Sequence, residues 1–151
     1  MIHVALWEPE IPPNTGNIAR LCAATGATLH LIGRLGFRLD DRSLRRAGLD
    51  YWHEVDYRRH ATLEDFEAFA GDARVFALSA RATLPYTQVQ YRAGDCLLFG
   101  GESHGLPPGV LQRAPERALC IPMPAGRVRS LNLATAVGIV VYEALRQLHN
   151  W

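Results

Sequence analysis

Three polar segments of this 151-residue chain carry residue types that act on ligands. The first is Asn14-Thr15-Gly16-Asn17-Ile18-Ala19-Arg20. Asn17 and Arg20 stand three apart and share one face of a helix, while Ile18 and Leu21 turn to the core. Asn14 is a natural N-cap for that helix, and Arg20 lies beside its apolar face, near the end of the first strand. The second segment is Gly100-Gly101-Glu102-Ser103-His104-Gly105, directly after a strand. The third, MPAGRVRSLN at 123–132, joins a strand to a buried helix. Ser79-Ala80-Arg81 leaves a further strand end. Ligands of open α/β sheets sit outside the carboxyl ends of the strands, so these loops are where a ligand is expected.

Other chemistries find little support. The six histidines (3, 30, 53, 60, 104 and 149) are scattered, without HExxH or a Cys/His pair at ligand spacing, so no metal is expected. There is no G-x-S-x-G nucleophile elbow. The glycine loop is not GxGxxG, which argues against a dinucleotide-dependent oxidoreductase. All 16 basic residues are arginine. The absence of lysine removes Schiff-base and P-loop chemistry and leaves the planar guanidinium fork, suited to phosphates and base edges. Net charge is only +1, so any nucleic-acid surface must be local. Cys22, Cys96 and Cys120 are odd in number and widely spaced, which fits buried thiols in a reducing, cytoplasmic setting. No apolar run is long enough to span a membrane, and MIHVALWEPE does not read as a secretory leader.

The elements that position these loops alternate. Strands are expected over 2–7, 28–32, 74–79, 96–99 and 118–121. Helices are expected over 14–24 with Gly26 as stop, from Asp40 or Asp41 through Arg46 with Gly48 as stop, from Thr62 to Ala70 with a Thr62/Asp65 capping box, from Pro107-Pro108, and over 132–148. This pattern gives an α/β fold, a mostly parallel sheet flanked by helices, in one domain over 1–151. In the last helix Leu133, Val137, Val140, Val141, Ala144, Leu145 and Leu148 form a wide apolar face, which Ala134, Ala136, Gly138 and Ile139 extend most of the way round. A helix apolar nearly all round is covered on more than one side, and a homodimer supplies the second cover.

EPEIPPNTGNIARLCAATGATLHLI, LLFGGESHGLP and IPMPAGRVRSLNLATAVGIVVYEALRQL, in that order, resemble the three motifs of the SPOUT class of RNA 2′-O-ribose methyltransferases. Within that class they are most similar to the small enzymes acting on the wobble cytidine or uridine of tRNA. The likeness runs over essentially the whole chain, RRAGLDYW at 45–52 included. It implies a deep C-terminal trefoil knot, a fold that ordinary topology rules do not produce. It implies S-adenosylmethionine as cofactor, leaving as S-adenosylhomocysteine, held by the positions of Leu78, Gly100, Ile121 and Ser130 with Leu131 and Asn132 close by. Arg20 matches the motif arginine at the ribose 2′-hydroxyl, and Asn14 and Glu102 match other functional positions. The resemblance also implies a homodimer in which each site is completed by the partner.

The implied reaction needs no metal and no covalent intermediate. Oxygen, methyl carbon and sulfur must lie in line, so positioning supplies much of the rate. Arginine stays protonated in proteins, so Arg20 is expected to orient the 2′-oxygen and stabilise its developing charge rather than to act as a base. For the tRNA anticodon arm, Arg34, Arg38, Arg42, Arg45 and Arg46 form a cationic cluster, with Arg58, Arg59, Arg127 and Arg129 as further candidates and Tyr51, Trp52 and Tyr142 as possible stacking platforms. No appended RNA-binding domain is expected. Alternatives are another tRNA or rRNA nucleotide as target, or a non-catalytic RNA-binding dimer of the same fold.

Overall fold

The structure, a computed structural model, describes the backbone of residues 1–151 and the side chains of all but residues 48–50. Seven strands form one sheet: β1 His3–Trp7, β2 Thr28–Ile32, β3 Tyr57–His60, β4 Val75–Leu78, β5 Leu84–Pro85, β6 Cys96–Gly100 and β7 Ala118–Cys120. Five helices accompany them: α1 Pro12–Thr25, α2 Arg42–Gly48, α3 Leu63–Ala70, α4 Val110–Arg113 and α5 Leu133–His149. The strand order is β3-β2-β1-β6-β4-β7-β5, and all six pairings are parallel. The α/β expectation therefore holds. Because a parallel sheet is covered on both faces, its central strands read as continuous apolar runs. Along β1, Val4 and Leu6 enter the core shared with α1 and α5, whereas Ala5 enters a second core with Phe66 of α3 and Val110 of α4. The same alternation splits Leu97 and Phe99 from Cys96 and Leu98.

Local chemistry explains most boundaries. Gly26, in the left-handed region, ends α1 and donates its N–H to Cys22. The Asp41 carboxylate accepts from the amides of Ser43 and Leu44 at 2.8 and 3.2 Å, so Asp41 rather than Asp40 opens α2. The Thr62 hydroxyl accepts from the Asp65 amide and opens α3 as expected. Two expectations need correction. Asn14 does not cap α1: the helix starts at Pro12 and its N-cap is Ile11. Pro107 and Pro108 precede α4 rather than begin it, since Gly109 is the N-cap. Strands β3 and β5 escaped the pattern because both lie at sheet edges. β3 is Tyr-Arg-Arg-His and mostly exposed, and β5 is two residues long and includes a proline. Charge, brevity and proline are the devices that blunt a sheet edge.

At the amino end of the sheet, Asp95 is buried and accepts two hydrogen bonds from the Arg74 guanidinium, at 3.0 and 2.7 Å, and one from the Arg92 amide. Nearby, on the α3 side, three histidines that are far apart in sequence form a chain across β1, β2 and β3. His3 Nδ1 lies 2.9 Å from His30 Nε2, and His30 Nδ1 lies 2.9 Å from His60 Nε2. Phe66 and Phe69 pack against the rings. Each gap holds one proton, so the neutral rings all adopt the same tautomeric sense. Burial, then the neighbouring histidines and Arg58, push His30 down to about 3. Burial lowers His3 and His60 as well.

These groups are neutral in the folded protein and free to bind protons once unfolded. Their contribution to stability is complete above pH 6.5 and is lost as pH falls toward about 3. Chemical denaturation between about pH 7 and pH 5, above the range where ordinary carboxylates titrate, should show stability falling with acid. The limiting slope is about 1.4 kcal/mol per pH unit for each proton taken up. In His30→Gln that slope should flatten. Asp95→Ala, which strands the Arg74 charge, should cost about 3–5 kcal/mol.

Candidate functional site

The start of α1 cannot satisfy itself. Ile11 has no capping side chain, and Pro12 and Pro13 contribute no N–H. The missing acceptor comes from the loop after β6. Glu102 Oε1 accepts from the Glu10 amide at 2.8 Å, and Glu102 Oε2 accepts from the Ile11 amide and from Asn14 Nδ2, each at 3.0 Å. A carboxylate at a helix N-terminus also meets the positive end of the helix dipole. Asn14, on the first turn and buried, continues the chain of contacts: its Oδ1 accepts from Asn132 Nδ2 at 3.0 Å. Asn132 in turn caps α5, its Oδ1 accepting from the Thr135 amide at 3.1 Å. One hydrogen-bonded line therefore ties all three sequence motifs together.

A second pair closes the glycine loop. Glu10 Oε1 accepts from the Ser103 amide at 2.9 Å, and Oε2 accepts from the Ser103 hydroxyl at 2.8 Å. Those bonds hold the Glu10 carboxyl below its ordinary range, although it faces solvent. The expectations did not include Glu10 and Ser103, which lie 93 residues apart with no spacing signal to join them. The loop is also backbone-tight: a Cβ on Gly101 would strike the Glu8 carbonyl, and one on Gly100 would strike the backbone of Gly105. Only glycine allows these approaches.

Three of the expected cofactor positions lie at one edge of the sheet. β6, β4 and β7 are neighbours, with Leu78 opposite both Phe99 and Leu119. Leu78, Gly100 and Ile121 thus sit together at the carboxyl ends of three parallel strands, beside the point where the strand order reverses between β1 and β4. Leu78 is buried, Gly100, Ile121 and Leu131 are half-buried, and Ser130 and Asn132 are exposed. From Pro122 to Ser130 the loop is almost wholly exposed, and within it Gly126 donates its N–H to the Met123 carbonyl. Among the described residues no other amide of 122–130 donates to a backbone carbonyl.

Arg20 is not part of the Glu102–Asn14–Asn132 line. It lies six residues beyond Asn14, about 9 Å further along the helix axis, exposed like Asn17, with its guanidinium 5.5 Å from the centre of the Tyr51 ring. Arg45 and Arg46 lie exposed in the last turn of α2, and Arg45 stacks on Trp52 at 4.9 Å. Trp52 is a core residue, whereas Tyr51 and Tyr142 are exposed. Arg129 is exposed on the loop before α5. Among the described residues no group of three His, Cys, Asp or Glu side chains converges as metal ligands, and no helix is long and apolar enough to cross a membrane. Cys22 and Cys96 are buried, and burial raises Cys22 to about 12.

Asn14→Asp tests the line of contacts. It removes the Nδ2 donor and sets a second carboxylate against Glu102. It should cost about 1–3 kcal/mol in denaturant unfolding, and Glu102→Gln in the same background should recover part of the loss.

Comparison with known proteins places these features in a lineage. Residues 1–142 match the SpoU rRNA Methylase family. A tRNA (cytidine(34)-2′-O)-methyltransferase from Yersinia pestis is 50% identical over 157 aligned positions, covering 98% of this chain and 94% of that protein. A solved structure concerned with 2-OH methylation of C/U34 on tRNA is 53% identical, covers 100% of this chain and 98% of its own, and superposes with a TM-score of 0.95. An AdoMet-bound rRNA methyltransferase from Sinorhizobium meliloti is 32% identical with a TM-score of 0.85, covering 97% of this chain and 56% of that one. The chain belongs to the SpoU methylase family.

Proposed function

We propose that this protein transfers a methyl group from S-adenosylmethionine to the ribose 2′-hydroxyl of the wobble nucleotide of tRNA, cytidine or uridine 34, as a single-domain homodimer in the cytoplasm. The observation that carries this reading is the full-length likeness to proteins of that activity, joined to a site in which one hydrogen-bonded line unites the three motifs. A broader target such as an rRNA nucleotide is the second reading, favoured by the family description alone.

The residues fit the cofactor. Leu78 and Ile121 offer apolar contact for a purine, and the loops after β6 and β7 offer backbone groups. Gly100 lets the backbone of Gly105 and Leu106 close onto the end of β6, which shapes the loop. Ser130, Leu131 and Asn132, on the loop leading into α5, would complete the holding set, with the C-terminal knot implied by the resemblance fixing these turns. When bound, S-adenosylmethionine supplies a methyl group on a positively charged sulfur. The protein must bring the sugar oxygen into line with it and stabilise the oxygen as its proton leaves. Arg20 suits the second task, since its guanidinium remains charged and donates in a planar fork. Nothing within its own protomer neutralises it among the described residues.

Because Arg20 stands apart from the Glu102 line, the reading assigns it to a site shared between protomers. The face that supports such pairing lies on α5. Tyr142 is 46% exposed and Ile139 half-buried, and the Trp151 ring, 66% exposed, lies near Tyr142. Ile11 and Val128 add exposed apolar surface near the start of the same helix. Single exposed apolar residues are common, and it is the Tyr142–Trp151 pair at the end of α5 that supports a covered face here.

Incubation with labelled S-adenosylmethionine and unmodified tRNA, followed by mapping of 2′-O-methylated nucleotides, should find the label at position 34. Label on rRNA alone would favour the second reading, and cofactor binding without transfer to any RNA would favour the non-catalytic dimer. Arg20→Lys should lower turnover by about 100-fold or more while leaving cofactor affinity unchanged. Near-normal turnover at neutral pH would remove Arg20 from the reaction. Tyr142→Glu should shift the protein to monomer in sedimentation and abolish transfer.

A further inference from the structure

A groove of about 540 Å³ opens between the segment after β2, the last turn of α2 and the edge strand β3. That volume lies within the roughly 300–1,000 Å³ of small-ligand sites. Its lining divides by chemistry. Leu35, Phe37 and Leu39 form an apolar floor, because residues 34–40 alternate strictly between half-buried and exposed. Arg38, Arg45 and Arg59 form the rim, with Asp40. The acid is already engaged, holding Arg38 at 3.0 Å. Among the described residues Arg45 and Arg59 form no ion pair: Arg45 lies on Trp52, and Arg59 makes one long hydrogen bond, 3.4 Å, to the Gly33 carbonyl. Two guanidinium groups without a direct ion pair among the described residues, Arg45 still acting on Asp40 through space, stand over an aromatic and aliphatic floor and match a phosphate joined to a flat ring.

The groove is mechanically joined to the site. Its floor segment is fastened to residues 8–10: the Arg34 amide donates to Glu8 Oε2 at 3.1 Å, and the Gly36 amide donates to the Pro9 carbonyl at 2.9 Å. Glu10 then pairs with Ser103, and the Glu10 amide with Glu102. On the other side, Arg45 and Arg20 rest on adjacent aromatic residues, Trp52 and Tyr51. A second cleft, of about 480 Å³ between α3 and α4, has the opposite character. It carries Glu8 and Glu64, and its Arg113 is paired with Glu67, so it repels a phosphate.

We propose that the groove lined by Phe37, Arg45 and Arg59 takes the nucleotide flanking the methylated one. Its base lies on Phe37 and its phosphate is held by the two arginines. This rests on the RNA reading above and adds a subsite to it. A flanking base seated there fixes the strand on both sides of the target ribose, so the groove sets which sequence context is accepted. Bases splayed from a single-stranded loop are recognised by such stacking with charged contacts.

The test uses the full-length dimer and an unmodified anticodon stem-loop RNA. Arg59→Gln, an exposed edge-strand change, should weaken RNA binding about tenfold. It should also reduce the slope of log affinity against log salt by about 0.7–0.9, with S-adenosylmethionine affinity unchanged. Phe37→Leu keeps the floor apolar but removes the aromatic face. An RNA abasic at one neighbour of the target should bind wild type about tenfold more weakly and bind Phe37→Leu no worse than intact RNA does. If both variants bind intact RNA as wild type does, or if neither abasic position couples to Phe37, the inference is overturned while the RNA reading stands. A wild-type protein that binds no RNA overturns both.

Discussion

The site depends on one carboxylate at one helix end. α1 opens with two prolines behind an isoleucine, a start that suits helical backbone angles yet leaves nothing local to accept the Glu10 and Ile11 amides. Glu102 fills that need from the far side of β1. The positive end of the helix holds its charge there, and Asn14 carries the connection onward to the cap of α5. The start of one helix, the loop between them and the start of another are thereby one unit. A shift in any of the three is felt by the others.

The sheet sets where that unit sits. Parallel pairing aligns the carboxyl ends of β1, β6, β4 and β7, and the loops that follow these strands leave from that edge. The opposite edge is closed by Asp95 and Arg74, and the α3 face is filled by the histidine chain and its phenylalanines. Packing on those sides leaves the carboxyl edge as the expected place for a ligand. The glycines after β6 let backbone approach backbone closely enough to build it.

Charge is distributed to the same end. The net charge of +1 conceals an arginine-rich stretch from Arg34 to Arg59, where seven arginines face five acids, and Asp40 and Asp56 are paired with Arg38 and Arg58. Arginine in these positions stacks as well as attracts, as Arg20 on Tyr51 and Arg45 on Trp52 show. The aromatic pair thus holds two guanidinium groups extended over the surface without neutralising them, a state suited to meeting phosphate.

The order of elements, the parallel α/β class and the family were legible in the residues, because apolar runs, helix stops and ordered motifs are local signals. The edge strands were not, since Tyr-Arg-Arg-His has no buried face to write into its pattern. The role of Asn14 was misread for a related reason. An asparagine before an apolar helix is a cap by local rules, and only the arrival of Glu102 and Asn132 from 88 and 118 residues away turns it inward. The same holds for Glu10 with Ser103 and for the three histidines, which sequence spacing scatters and parallel register brings into line. Sequence by itself determined the core strands, the helices and which residue types are available. Only the tertiary structure decided which of them meet, because hydrogen bonds between distant loops depend on strand register, and no local pattern encodes that.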